Sequence, residues 1–499
     1  MIRRRPNSPL SRNRQGVTTG TTSRPRPAAT VANSGSGNHV LVDGAENGQL
    51  YQYETSVKKS FDAVVPTLKK VSAYQHEEDF VARAQAVATQ ELGFELPKEI
   101  LEDAWVEQLD MRSLFAWCVF KSYQRYCDDF FSTAPLSDGL GNKSVEEFQS
   151  FIQQCGFHTM DVSPCADGRL AHAIRYVLRL PIEAVRRKSY AGAMFDIDNS
   201  IQKWVETEML RFREGKPNMA DEPTRYLKTV AYHFSSVDPS HEGCAAHGSD
   251  DALAAKQGLN RLKAFQQAIE NSFCCGASID LLLLGIDTDT DAIKVHIPDA
   301  NGEIDLEKFV DAKDVYQQTQ RLSATDATQR VEQMIRQAQA SVNGGMLKLI
   351  SKLIINNLSQ IEYVMSYYGG HYEDIGHAER FIGAGIGFEE VQLRNLTYFA
   401  YLNTVEESTA DFDVGIKIFS KLNVAHGLPV PVVIRFDYHG QVPGSRDRAI
   451  EHCQRVSDAA AARYSDLAEK GLLHTLLVIR DCNANGQIEI LGSSLKAAI

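Results

Sequence analysis

The order strand, loop, helix, hairpin is written twice in this chain, and it limits the folds available more than any other feature. "KTVAYHFSS" (228–236) is a short apolar run of strand length. A histidine-bearing loop follows it, then a helix-spaced stretch from about Asp251 to Asn271, then "IDLLLLGIDTDTDAIKVHI". "PVPVVIRFDYHG", a loop, "RAIEHCQRVSDAAAARYSDLAEKG" and "HTLLVIRDCNANGQIEI" repeat that order near the C-terminus, with Asn485-Gly486 as a favourable hairpin turn. Strand-length runs alternating with helical periods read as α/β architecture. The second copy has no cysteine at the loop position of Cys244.

The segments ahead of these halves are of a different kind. From Tyr51 to about Phe131, "SVKKSFDAVVPTLKKVSAY", "FVARAQAVATQELGF" and "DAWVEQLDMRSLFAWCVFKSYQRYCDDFF" place apolar residues three and four apart, which predicts a helical domain with Cys118 and Cys127 as buried packing thiols. "STAPLSDGLGNK" breaks the pattern, and Ser144-Val145-Glu146-Glu147 has the form of a capping box. The expected division is a basic tail over 1–50, a helical domain over 51–142 and two further domains over 143–388 and 389–499. Residues 1–42 hold seven arginines and no acid, while the whole chain carries −12. With few apolar residues, such a tail is expected to stay disordered and to seek an anionic partner. No apolar run approaches membrane-spanning length and no secretory h-region is present, so the reading is an intracellular protein with no membrane partner. Nine irregularly spaced cysteines argue for free thiols in a reducing compartment.

Chemistry enters at "SPCADGRLAH" (163–172), where Cys165 ends a predicted strand and "RLAHAIRYVLRLP" is expected to begin a helix. Carboxyl ends of strands in α/β folds are where sites are built. Cys244 also lies just past a strand, in "VDPSHEGCAAHGSDD". Two thiolates and one imidazole would give a zinc ion three protein ligands and leave the fourth position open. Spacing leaves the imidazole undecided: His233 and His241 can each reach the metal. Asp167 and Arg169 explain the rest of the motif, since a guanidinium can hold a neighbouring carboxylate away from the open position by a bidentate pair. "CCGASID" (274–280) reads as buried packing and "DTDTD" (287–291) as a turn without calcium-loop spacing.

Cys-x-Asp-x-Arg is the motif of β-class carbonic anhydrases. Over nearly the whole chain from residue 51, the sequence resembles a divergent branch of that class, the carboxysomal shell carbonic anhydrases. The stretches that carry the resemblance include "DVSPCADGRL", "YAGAMFDID", "YHFSSVDPSHEGCAAHGS", "CCGASIDLLLLGIDTDTDAIKVHIPD" and "DIGHAERFI". The resemblance implies zinc on Cys165, His233 and Cys244, with His241 and His247 as loop histidines. It also implies an Asp167–Arg169 dyad and His377 as proton acceptor, with His371 an exposed loop residue. The implied activity is reversible hydration of CO2 to bicarbonate by zinc-bound hydroxide, supplying CO2 to RuBisCO inside the carboxysome. Homo-oligomers are implied as well, together with a C-terminal half that has lost its metal. RuBisCO, or the shell or scaffold, becomes the expected partner of the tail, and nucleic acid is not expected. The alternative function is a carboxysome protein in which zinc only staples the fold.

Overall fold

The computed structural model describes residues 39–42, 44–132, 145–219, 221–273, 278–402, 409–483 and 487–499, and among these eleven strands form two sheets. The first contains β1 (Thr159–Pro164), β2 (Arg186–Arg187), β3 (Arg225–Phe234), β4 (Ser278–Asp287), β5 (Ile293–Pro298) and β6 (Ile304–Asp311), in the order β2-β1-β3-β4-β5-β6. Strands β2, β1, β3 and β4 run parallel, and β5 and β6 return antiparallel. The second contains β7 (Phe381–Ile386), β8 (Thr397–Ala400), β9 (Val430–Tyr438), β10 (Leu473–Asp481) and β11 (Ile488–Ser493), in the order β11-β10-β9-β7-β8. Here β8, β7, β9 and β10 are parallel and β11 is antiparallel.

The two sheets are the same object apart from β6. Asp161 pairs with Arg186 on one side and Lys228 on the other, as Ile382 pairs with Tyr398 and Val432. Phe234 lies opposite Asp287, and Tyr438 lies opposite Asp481. The backbone N–H of Ser236 donates to Asp287 Oδ1, as that of Gly440 donates to Asp481 Oδ1. Each first strand runs into a one-turn 3-10 helix, Gly168–Leu170 after β1 and Glu389–Val391 after β7. The repeat legible in the sequence thus extends to two further strands. Because β7 belongs to the second sheet, the expected boundary at 388/389 falls between strands of one unit.

Helices Gly44–Asp62, Val64–Ala73, Phe80–Leu92, Lys98–Asp103 and Met111–Ser132 make up the N-terminal helical region. The last of these is apolar around much of its circumference, which requires burial on more than one side. It is buried against the second sheet, in one core with Phe381, Phe388, Val433, Leu476 and Val478. The opposite face of that sheet is covered by helices Thr409–Leu422 and Ser445–Arg463. The first sheet has its own core, to which Asp251–Phe273 and Gly344–Tyr368 contribute.

Two expectations need correction. The helix region starts at Gly44, ahead of residue 51, and His39 is already buried, bonded to Thr319 Oγ1 at 2.9 Å and stacked on Tyr316. After Cys165 there is no regular α-helix, only the 3-10 turn and a π turn at Ala173–Val177, followed by Arg179 at φ 51°. The side chains give the reason. Arg169, His172 and Arg179 are buried and point to separate partners, Asp167, Asp291 and the Asn47–Gln360 pair. A straight helix would not aim all three. Ser144, Cys274, Cys275, Asn485, Gly486 and nearly all of the basic tail lie outside the described residues.

Candidate active site

Each element of the first sheet delivers one group to its carboxyl edge. Cys165 is the residue after β1, its N–H bonded to Ala231 O at 3.0 Å. His233 is the penultimate residue of β3, and Cys244 ends the following loop, just ahead of the 3-10 turn Ala245–His247. All three are buried, and their ligand atoms lie within 4.8 Å of one another. Among the described residues neither ring nitrogen of His233 has a partner in good hydrogen-bond geometry, although Nε2 lies 3.2 Å from Asp167 Oδ2. A buried imidazole with both nitrogens unbonded beside two thiols is an unfavourable arrangement without a cation. The donor set, two sulfurs and one imidazole nitrogen, is one that zinc takes.

The charges of the cluster's own groups act on one another. Contact with Cys244, together with burial, pushes the Cys165 thiol well above the ordinary range, while the hydrogen bond from Cys165 holds Cys244 below it. Burial pulls the His233 imidazole down, but Asp167 and Cys165 outweigh it and raise the ring to about 9. His241 is elsewhere: its side chain is 76% exposed and its Nδ1 meets Asp238 Oδ1 at 2.8 Å. His247 faces Gly192 O at 3.1 Å, and His371 is exposed.

Asp167 and Arg169 form a closed fork. Arg169 Nε donates to Asp167 Oδ1 at 2.9 Å and Nη2 donates to Oδ2 at 2.8 Å. The Arg169 backbone N–H also donates to Oδ1, and Nη1 is held by the carbonyls of Glu242 and Ile375 at 2.7 and 2.9 Å. Burial opposes ionisation of Asp167, yet Arg169 first, then His377 and His233, hold its carboxyl well below the usual range. His377 stands on the solvent side, 22% exposed, with Nε2 3.7 Å from Asp167 Oδ2 and Nδ1 2.9 Å from Glu379 Oε1. Burial lowers this imidazole, but Glu379 and then Asp167 raise it to about 9.

Two contributions went unseen in the sequence. Glu379 is buried under His377, and its only signal was an acid two residues along in "HAERF". Tyr398, Val414 and Ile418 line the pocket from the second half, so the degenerate half supplies an apolar wall of the site. No local pattern announces that contact. It follows from packing between segments more than 200 residues apart, such as the Ala191 N–H donated to Asp411.

Comparison with known proteins covers the same span. Residues 39–131, 147–377 and 378–495 match the family domains described as Carboxysome Shell Carbonic Anhydrase, N-terminal, catalytic domain and C-terminal. The carboxysome shell carbonic anhydrase of Prochlorococcus marinus (strain MIT 9313) is 56% identical over 494 residues, 99% of this chain and 96% of the relative. Those of Hydrogenovibrio crunogenus and Halothiobacillus neapolitanus are 48% and 45% identical, over 89% and 91% of this chain and 85% and 90% of their own lengths. Among the described residues no helix is long and apolar enough to cross a membrane.

Proposed function

The chain belongs to the carboxysome shell carbonic anhydrase family, and we propose that it interconverts CO2 and bicarbonate at the Cys165–His233–Cys244 cluster. The observation that carries this reading is the buried His233 ring, unbonded at both nitrogens, between two thiols and beside a carboxylate that Arg169 grips by both oxygens. Cys165, His233 and Cys244 would hold zinc, which would supply the positive charge that makes hydroxide available near neutral pH.

The chain's own residues do the rest. Arg169 grips Asp167 by both oxygens and so would keep its carboxylate from competing for the metal. Asp167 stays ionised and presents Oδ2 between His233 and His377. Tyr398, Val414 and Ile418 give an uncharged, weakly solvating wall suited to CO2. His377, partly exposed, passes the proton between the pocket and buffer. In the carboxysome the useful direction is dehydration of bicarbonate, which delivers CO2 to RuBisCO. The arginine tail tethers the enzyme to that cargo or to the shell or scaffold, and the chain acts as a homo-oligomer.

The test is zinc analysis with a CO2 hydration assay on the purified full chain. About one zinc per chain is expected, with activity lost to chelation and restored by zinc. A chain that holds zinc and does not hydrate CO2 overturns the proposal in favour of a structural zinc.

A further inference from the structure

We propose that Glu379 is a positioning residue that fixes His377 in one orientation and one tautomer, with Nδ1 protonated and Nε2 facing the reacting groups. The inference rests on the proposed carbonic anhydrase activity and deepens it, because it concerns the group that carries the proton in that reaction.

The geometry allows one assignment. Glu379 is buried, and its Oε1 stands 2.9 Å from His377 Nδ1 and 3.2 Å from the Gly168 N–H. Oε1 is an acceptor here, as its bond from the Gly168 N–H shows, so the hydrogen between Glu379 and the ring is assigned to Nδ1. In the neutral ring the lone pair is then on Nε2, the atom 3.7 Å from Asp167 Oδ2. The other carboxylate oxygen, Oε2, is buried without a hydrogen-bond partner among the described residues, so satisfying general core polarity does not account for Glu379.

The surroundings are shaped to keep it there. A Cβ on Gly168 would lie 2.4 Å from Glu379 Cγ and 2.6 Å from Oε1, so the turn that carries the Asp167–Arg169 dyad needs glycine where the carboxylate enters. Asn395 closes the circuit. Its N–H donates to Gly168 O, its Oδ1 accepts from the Ala378 N–H, and its Nδ2 donates to Gly376 O. The dyad turn, the segment bearing His377 and the start of the second half are thereby joined through one side chain. The charged groups facing the His377 ring are Glu379, Asp167 and Arg169.

Glu379→Gln keeps the shape and removes the obligate acceptor, since its amide can present N–H to Nδ1. The first measurement is the 15N spectrum of the His377 ring during a pH titration of the full-length chain, assigned by its loss in His377→Ala. Wild type is expected to end in the Nδ1–H tautomer, and Glu379→Gln in a mixture or in the Nε2–H form. The second is CO2 hydration by the zinc-loaded proteins. In Glu379→Gln, kcat should fall about tenfold or more and kcat/KM should stay within about twofold, with imidazole buffer restoring kcat and zinc content unchanged. Glu379→Asp retains an acceptor and should keep the wild-type tautomer; it serves as the test if the glutamine variant does not fold. An Nε2–H ring in wild type, the same tautomer in wild type and Glu379→Gln, or equal losses in kcat and kcat/KM overturn the proposal. The spectrum decides this inference even if the wild-type chain does not hydrate CO2, a result that would count against the proposed activity alone.

Discussion

The two sheets share one register and differ at the strand ends, where, among the described residues, only one of them carries a cluster suited to metal. Carrying the pairing forward, Ile386 takes the place of Cys165, Phe388 that of Asp167, Glu390 that of Arg169 and Asp437 that of His233. The second site is filled by an ion-pair network. Arg435, fully buried, donates Nη1 to Glu390 Oε1 at 2.6 Å and to Tyr123 Oη at 2.9 Å, and grips Asp437 through Nε and Nη2. Helix Met111–Ser132 lies over it, with Cys127 donating to Glu390 and Phe131 under Arg480, while Tyr53 of the first helix donates to Glu390 O. Both sheets keep the same topology because it depends on apolar strand interiors. Chemistry depends on a few residues at the strand ends and in the loops that follow.

The sharpest way to break the contrast is to remove the metal from the first half. Cys165→Ser, Cys244→Ser and His233→Ala should each lose zinc and at least about a thousandfold in CO2 hydration, measured by metal analysis and initial rates. His241→Ala should change neither, given its exposed ring. Full zinc in His233→Ala would end the assignment.

Next is the dyad, which the second half replaces with an apolar–acid pair. Arg169→Ala should retain zinc and lose about a hundredfold in activity, because Asp167 is then free to compete for the metal. Activity within a few-fold of wild type would show that Arg169 does not restrain the carboxylate.

The reciprocal change tests whether the second half is now structural. Glu390→Ala leaves Arg435 buried with one partner fewer and should cost about 3–5 kcal/mol of stability in denaturant melts, with zinc content unchanged. Deleting 378–499 should give insoluble protein, since it bares both the N-terminal core and the pocket wall. A soluble, active fragment would show independent halves.

A smaller effect follows from His377. Its pKa is raised by folding, so it stabilises the metal-free chain fully below its ordinary 6.5 and loses that contribution as pH rises through about 9. Denaturant midpoints of wild type should therefore fall across that window more than those of His377→Ala.

The smallest expected change in turnover comes from the tail. Removing residues 1–37 should leave hydration intact and abolish salt-sensitive association with RuBisCO in a pull-down. The cut stops short of His39, whose ring is anchored to Thr319 and Tyr316. Equal capture of RuBisCO without the tail would rule it out as tether.

Much of this architecture is legible in the sequence, for reasons that can be named. β3, β4, β9 and β10 are apolar runs of nine or ten residues, and the helices between them keep a regular period. β7 and β8 escape such a reading because "FIGAGI" and "TYFA" are short and the first is half glycine and alanine. The turns after Cys165 escape it because apolar spacing suggests a helix while buried charges dictate the course of the chain. The choice between His233 and His241 cannot come from spacing. Only the fold puts one ring at 1% side-chain exposure between two thiols and the other in solvent.

A pocket whose apolar wall comes from the same polypeptide as its metal-binding groups behaves differently on dilution from one assembled between two chains. Tyr398, Val414 and Ile418 reach the Cys165 pocket at an effective concentration fixed by covalent linkage and by the packing of the halves. Specific activity should therefore stay constant down to enzyme concentrations at which a two-chain site would come apart.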